Sequence, residues 1–174
     1  MKIQIVYYSR YGSTKKIAHK IRDRLNAEFI SDITELNSID GDLLIISSAI
    51  YSETPDPKIL DLLRDKEGIL KDKKIALFAI CLAKELKIIR EKEIGGPVYL
   101  RKMEEALNRG PIAKQVFGGK LVASLLSDED YKRQEAFFKM RNLPFDDVDM
   151  ISEEEIVAFV RELKSAENST EYGA

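Results

Sequence analysis

The residues best equipped for chemistry stand near the start of the chain. The apolar run Ile3-Gln4-Ile5-Val6-Tyr7-Tyr8 passes at once into Ser9-Arg10-Tyr11-Gly12-Ser13-Thr14 and then into helix-forming sequence. A buried strand that stops at a hydroxyl- and glycine-bearing turn before a helix aims backbone N–H groups and the positive end of the helix dipole at one point, where a phosphate can sit. Ser9, Ser13 and Thr14 offer hydroxyls, and Gly12 permits close approach of the backbone. The same turn also works with no ligand, Ser13 or Thr14 acting as a plain helix N-cap. Arg10 has two options as well, the solvent or the phosphate.

Several phosphate chemistries lack their residues here. A Walker loop needs G-x-x-x-x-G-K-[ST] and a dinucleotide fingerprint needs G-x-G-x-x-G, whereas the turn carries a single glycine. A cysteine phosphatase needs a thiolate in the first turn, and the sole cysteine, Cys81, lies far along the chain. A phospho-acceptor receiver needs acidic residues where Tyr8-Ser9 and Ser47-Ser48 stand. The turn is suited to holding a phosphate rather than transferring one.

The elements that must position this turn follow from the hydrophobic pattern. Four apolar segments, Ile3–Tyr8, Leu43–Ser48, Lys74–Cys81 and Gln115–Val122, alternate with helical sequence, and a weaker strand is expected at Glu28–Ile33. Near-continuous apolar strands between helices predict a five-stranded, doubly wound parallel sheet (α/β) with helices on both faces. Helices are expected over Thr14–Asn26, after Pro55-Asp56-Pro57 with Ile59, Leu60, Leu62 and Leu63, over Val98–Asn108, and from the Ser152-Glu153-Glu154-Glu155 capping box to about Lys164. An additional amphipathic helix at Ser127–Leu143 is expected to cover core beside the sheet edge, and Ser165–Ala174 to form a frayed polar tail after a single domain spanning 1–164.

Composition bounds the setting. The 174 residues suffice for one well-buried core, and the net charge of −2 with Lys and Arg spread along the chain argues against a nucleic-acid surface. One cysteine excludes an internal disulfide framework and fits a reducing compartment. No apolar run is long enough for an integral membrane segment, and Met1-Lys2 runs straight into a strand without a signal peptide. The expected location is the cytoplasm.

In such a sheet ligands gather at the carboxyl ends of the strands. Three loops are expected there: Ser9–Thr14; Ser48-Ala49-Ile50-Tyr51-Ser52-Glu53-Thr54-Pro55; and the loop starting at Cys81-Leu82-Ala83. On these residues the chain resembles the flavodoxin-like FMN-binding family, the turn matching that family's [ST]-x-[ST/aromatic]-G-x-[ST] phosphate loop. Tyr7-Tyr8-Ser9, Ser48-Ala49-Ile50-Tyr51, Ala76-Leu77-Phe78 and Val116-Phe117-Gly118-Gly119-Lys120-Leu121 look most like the menaquinone-dependent protoporphyrinogen dehydrogenase subgroup. The resemblance implies that Ser9, Arg10, Tyr11, Gly12, Ser13 and Thr14 bind the FMN phosphate. It places Ser48, Ala49, Ile50, Tyr51 and Ser52 in the second cofactor loop, with Tyr51 stacked on the isoalloxazine. Cys81, Leu82 and Ala83 would border the pyrimidine end.

The chain also departs from the family. Ser52-Glu53 stand where many members have a glycine, so a positive φ beside Tyr51 is disfavoured. The third loop has no aromatic residue before Tyr99 but carries Lys84, Lys87, Arg90 and Lys92. His19 reads as a helix residue without a catalytic part, and Cys81 as a small apolar packing group. Two functions remain open. One is a low-potential electron carrier between redox proteins, such as a ferredoxin or reductase and an acceptor enzyme. The other is an FMN-dependent oxidoreductase of the protoporphyrinogen dehydrogenase type.

Overall fold

A computed structural model of the chain describes residues 1–168. In chain order the elements that build it are β1 (Ile3–Tyr8), α1 (Ser13–Leu25), β2 (Phe29–Asp32), β3 (Leu43–Tyr51), β4 (Thr54–Pro55), α2 (Pro57–Asp65), α3 (Glu67–Leu70), β5 (Lys74–Cys81), β6 (Lys87–Ile89), β7 (Lys92–Ile94), α4 (Gly96–Leu107), β8 (Ala113–Gly118), β9 (Lys120–Leu121), α5 (Asp128–Met140), β10 (Val148–Asp149) and α6 (Glu153–Asn168). The main sheet runs β2-β1-β3-β5-β8 with every pair parallel, and β4 adds an antiparallel pairing to β3. This is the doubly wound α/β arrangement, flavodoxin-like in strand order.

The strands are apolar on both sides because both faces are covered. Ile3, Ile5 and Tyr7 of β1 point into a core completed by α1 and α6, where Phe78, Phe117 and Phe159 meet edge to face at 5.5–6.1 Å. Val6, Leu44, Ile46 and Leu77 point the other way, onto Ile59 and Leu63 of α2 and Leu100 and Met103 of α4. Register aligns Tyr8 with Ser48, so the ends of β1 and β3 meet where the strand order reverses. Local chemistry starts the helices. Asp56 caps α2 by accepting the Lys58 N–H at 2.8 Å, with Pro57 in the first turn, and Ser152 accepts the Glu155 N–H at 3.3 Å to open α6.

Three expectations are corrected. The segment Gln115–Val122 is not one strand: β8 ends at Gly118, and β9 turns away to pair antiparallel with β10. A Cβ on Gly118 would lie 2.5 Å from Met150, so the bend depends on glycine there. The third loop folds into the β6–β7 hairpin. The last helix continues to Asn168, and the remainder of the expected tail lies outside the described residues. Among the described residues no helix is long and apolar enough to cross a membrane.

Candidate cofactor site

A cavity of about 380 Å³ opens at the carboxyl ends of β1, β3 and β5, within the range of small-molecule sites, roughly 300–1,000 Å³. Of the residues expected from sequence, the structure brings Tyr11, Gly12, Ser13, Thr14, Ala49, Ile50, Tyr51, Cys81 and Leu82 together in its wall. Ser9, Arg10, Ser48, Ser52 and Ala83 are not part of that wall. Ser9 Oγ accepts the Gly12 N–H at 3.1 Å and folds the turn. Ser48 Oγ is buried, accepting the Asp56 N–H at 2.9 Å and donating to the Ala49 carbonyl at 2.8 Å. The Ala83 carbonyl accepts from Cys81 Sγ at 3.3 Å and from the Gly96 N–H at 2.8 Å. Ser52 lies in the tight turn after Tyr51.

The start of α1 is left open. Gly12 occupies the N-cap at φ 92°, a conformation that favours glycine, and supplies no side-chain cap; the first turn carries no acidic residue. Ser13 does not remain free either, since its hydroxyl accepts the Lys120 N–H at 3.0 Å and donates to the Lys120 carbonyl at 3.2 Å. Thr14 is different: it is fully buried, lines the cavity, and its Oγ1 has no partner. A buried hydroxyl without a partner at an uncapped helix start fits an anion that completes both.

Charge is gathered at the same end. Lys16, in the second turn of α1, and Lys120, tied through its backbone to Ser13, both line the cavity, and Lys120 reaches Asp149 at 3.5 Å. The Ile151 N–H, followed by the lysines Lys120 and Lys16, holds the Asp149 carboxyl below its usual range. The cations expected from the third loop are not in the wall: Lys84 pairs with Glu155 and Lys92 with Glu53. Apart from Asp130, which is paired with Arg10, the rest of the lining is uncharged and largely apolar, including Ile50, Tyr51, Ile80, Leu82, Leu125 and Leu126.

Burial pushes the Cys81 thiol up to about 12 and the Tyr51 hydroxyl up to about 12, the latter against the pull of the Arg10 and Tyr11 peptide N–H groups. The Arg10 guanidinium sits 4.5 Å from the centroid of the Tyr51 ring, and Tyr11 meets that ring edge-on at 6.3 Å. His19 packs beside Tyr7 at 6.4 Å, away from the cavity, and burial lowers its pKa.

Sequence reasoning missed the other wall. Gly119, Lys120, Leu121 and Val122, then Leu125, Leu126, Asp130, Gln134 and Ile151, close the cavity from the β9 and α5 side. The expected edge-covering helix therefore faces the site. The signal available was the Gly118-Gly119 bend, which redirects the chain across the sheet ends.

A sheet ordered β2-β1-β3-β5-β8 with an open helix start at its switch point defines a flavodoxin-like protein. The model of the flavodoxin domain matches residues 4–140, and the chain belongs to that family. Among solved structures it is similar to the oxidised flavodoxin 1 of Bacillus cereus, with TM-score 0.51 and 18% identity over 83% of this chain and 100% of that one. It is similar to the WrbA-like flavodoxin of Agrobacterium tumefaciens, with TM-score 0.50 and 14% identity over 98% of each chain. A third is the rubredoxin oxygen:oxidoreductase of Desulfovibrio gigas, with TM-score 0.53 and 14% identity, where 95% of this chain spans 36% of that one. At these identities the likeness is one of fold. No curated protein matches the sequence.

Proposed function

We propose that the cavity binds FMN non-covalently and that the chain acts as a low-potential electron carrier between redox proteins. The observation that carries this reading is the unpartnered, buried Thr14 hydroxyl at the uncapped start of α1, inside a cavity of a flavodoxin-domain chain. Thr14 Oγ1 and the free N–H groups of the first turn of α1 would hold the phosphate, with Lys16 and Lys120 supplying charge. Tyr51, Ile50 and Leu82 would flank the ring, and Cys81 with Ala83 would border its polar edge. Bound FMN supplies the redox chemistry. The chain's own part is to bind, orient and shield: Tyr51 and Cys81 keep their protons at neutral pH, so neither serves as a base. With the lysines at the phosphate turn and the Arg10 guanidinium over Tyr51 offset by its ion pair with Asp130, the ring end carries no net positive charge, which disfavours added negative charge on the ring and lowers its potential.

A second reading has one observation in its favour. The α5 side gives the cavity an extra wall of Leu125, Leu126 and Gln134, which suits an organic substrate against the ring, as in an oxidoreductase of the protoporphyrinogen dehydrogenase type. Quenching of FMN fluorescence on titration with the purified chain tests binding; stoichiometric quenching is expected, and its absence would sink both readings. An anaerobic reductive titration then separates them. Two resolved one-electron steps support the carrier, and a single two-electron step supports the enzyme.

A further inference from the structure

We propose that Asp130 is a positioning residue for the cofactor turn, latching α5 across the cavity; this rests on the reading of that cavity as a cofactor site. Asp130 is buried at 8% exposure, yet it lies on a helix outside the sheet. One of its oxygens, Oδ2, accepts from Arg10 Nη1 at 2.9 Å and from the Tyr11 hydroxyl. The Tyr11 hydroxyl in turn accepts the Ser127 N–H at 3.2 Å, and Ser127 Oγ accepts the Asp130 N–H at 3.2 Å. Donor and acceptor positions of the tyrosine are both used, so the first turn of α5 and the phosphate turn close into one hydrogen-bonded ring.

The same helix also reaches the second cofactor loop. Arg133, three residues on, donates to Ser52 Oγ at 3.3 Å, beside Tyr51. Gln134, one helical turn after Asp130, faces the cavity. Arg10, held by Asp130, covers Tyr51. One carboxylate thus fixes a residue of the phosphate turn, the guanidinium over the second-loop aromatic, and the helix that walls the site.

Little else anchors α5 to the sheet. Asp130 and Phe138 are its buried residues, and Phe138 packs on Phe145 and Phe137 rather than in either sheet core. Burial pushes the Asp130 carboxyl up, but the hydrogen bonds from Tyr11 and Arg10 outweigh this and hold it below the usual range. Replacing the carboxylate by a neutral amide removes the ion pair with Arg10 and leaves Arg10 and Tyr11 a weaker common acceptor, which lets the helix and the turn move apart.

Amide hydrogen exchange on the cofactor-free chain tests the latch, comparing wild type with Asp130→Asn and Tyr11→Phe. Exchange in 9–16 and 128–140 is expected to rise about tenfold in either variant, that in 74–81 to stay unchanged, and the double variant to be no worse than the weaker single one. If Asp130→Asn loses protection in 74–81, it has unfolded and Tyr11→Phe, which removes one hydroxyl, decides. FMN and riboflavin affinities give the second readout: loosening of the turn is expected to weaken FMN about tenfold more than riboflavin. Unchanged exchange in 128–140, or FMN bound by Asp130→Asn as tightly as by wild type, would overturn the proposal. A wild-type chain that binds no FMN removes the proposed function while the exchange comparison still decides the latch.

Discussion

Thr14 carries a buried hydroxyl without a partner at the uncapped start of α1. A buried hydroxyl with no partner costs about 1–3 kcal/mol, and Thr14 Oγ1 has none among the described residues. Thr14→Val keeps the shape and removes the liability. The expected outcome is a cofactor-free protein about 1 kcal/mol more stable to urea, with FMN bound about tenfold more weakly; equal affinity would remove Thr14 from the phosphate site. Cys81 illustrates the opposite case, a reactive group made inert by burial. Its thiol, pushed up to about 12, stays protonated at pH 8, so alkylation by iodoacetamide followed by mass spectrometry should be slow in the folded protein and fast in urea. The linked stability is complete below the unfolded thiol pKa of about 8.5 and is lost as pH rises toward about 12.

Hairpins beside the site carry strain at the level of the element. Ser52 and Glu53 join β3 to β4 with φ of 49° and 61°, although a positive φ is disfavoured for these residue types, and Arg90 and Glu91 join β6 to β7 with φ of 49° and 63°. Tertiary contacts impose the first of these turns: Lys102 Nζ donates to the Glu53 carbonyl at 2.6 Å, Lys92 pairs with the Glu53 carboxylate, and Arg133 reaches Ser52. The third-loop turn is exposed, and among the described residues Glu91 has no such holds. Glu91→Gly should therefore raise stability by about 0.5–1 kcal/mol, read as a shift of the urea midpoint, because glycine adopts this conformation without the Cβ clash. A loss of stability would mean that Glu91 makes contacts worth more than the strain.

At the scale of the whole molecule, the two cores fix where the loops end, and the aromatic trio Phe78, Phe117 and Phe159 joins α6 to the sheet beneath the site. Phe159→Ala removes a fully buried ring from this trio and is expected to cost about 3–5 kcal/mol in urea unfolding; a cost under 1 kcal/mol would show that α6 is not integral to the core. The five parallel strands, the helices α1, α2, α4 and α6, and the glycine-bearing turn before α1 were legible in the sequence. Each rests on local periodicity, caps and glycine placement, as at Ile3–Tyr8, Pro57 and Gly12. The use of the turn's hydroxyls was not legible, because Ser13 and Thr14 look alike until Lys120 arrives from across the sheet and occupies one of them. Nor was the direction of α5, whose weakly apolar faces leave several placements open until Asp130 meets Arg10 and Tyr11 from more than a hundred residues away. The sequence by itself determined the fold and the glycine-bearing turn before α1, since near-neighbour patterns are enough for strands, helices and such a turn. Tertiary structure alone decided which groups remain free to bind and what closes over them, because hydrogen bonds between distant segments use up some donors and leave others unpaired.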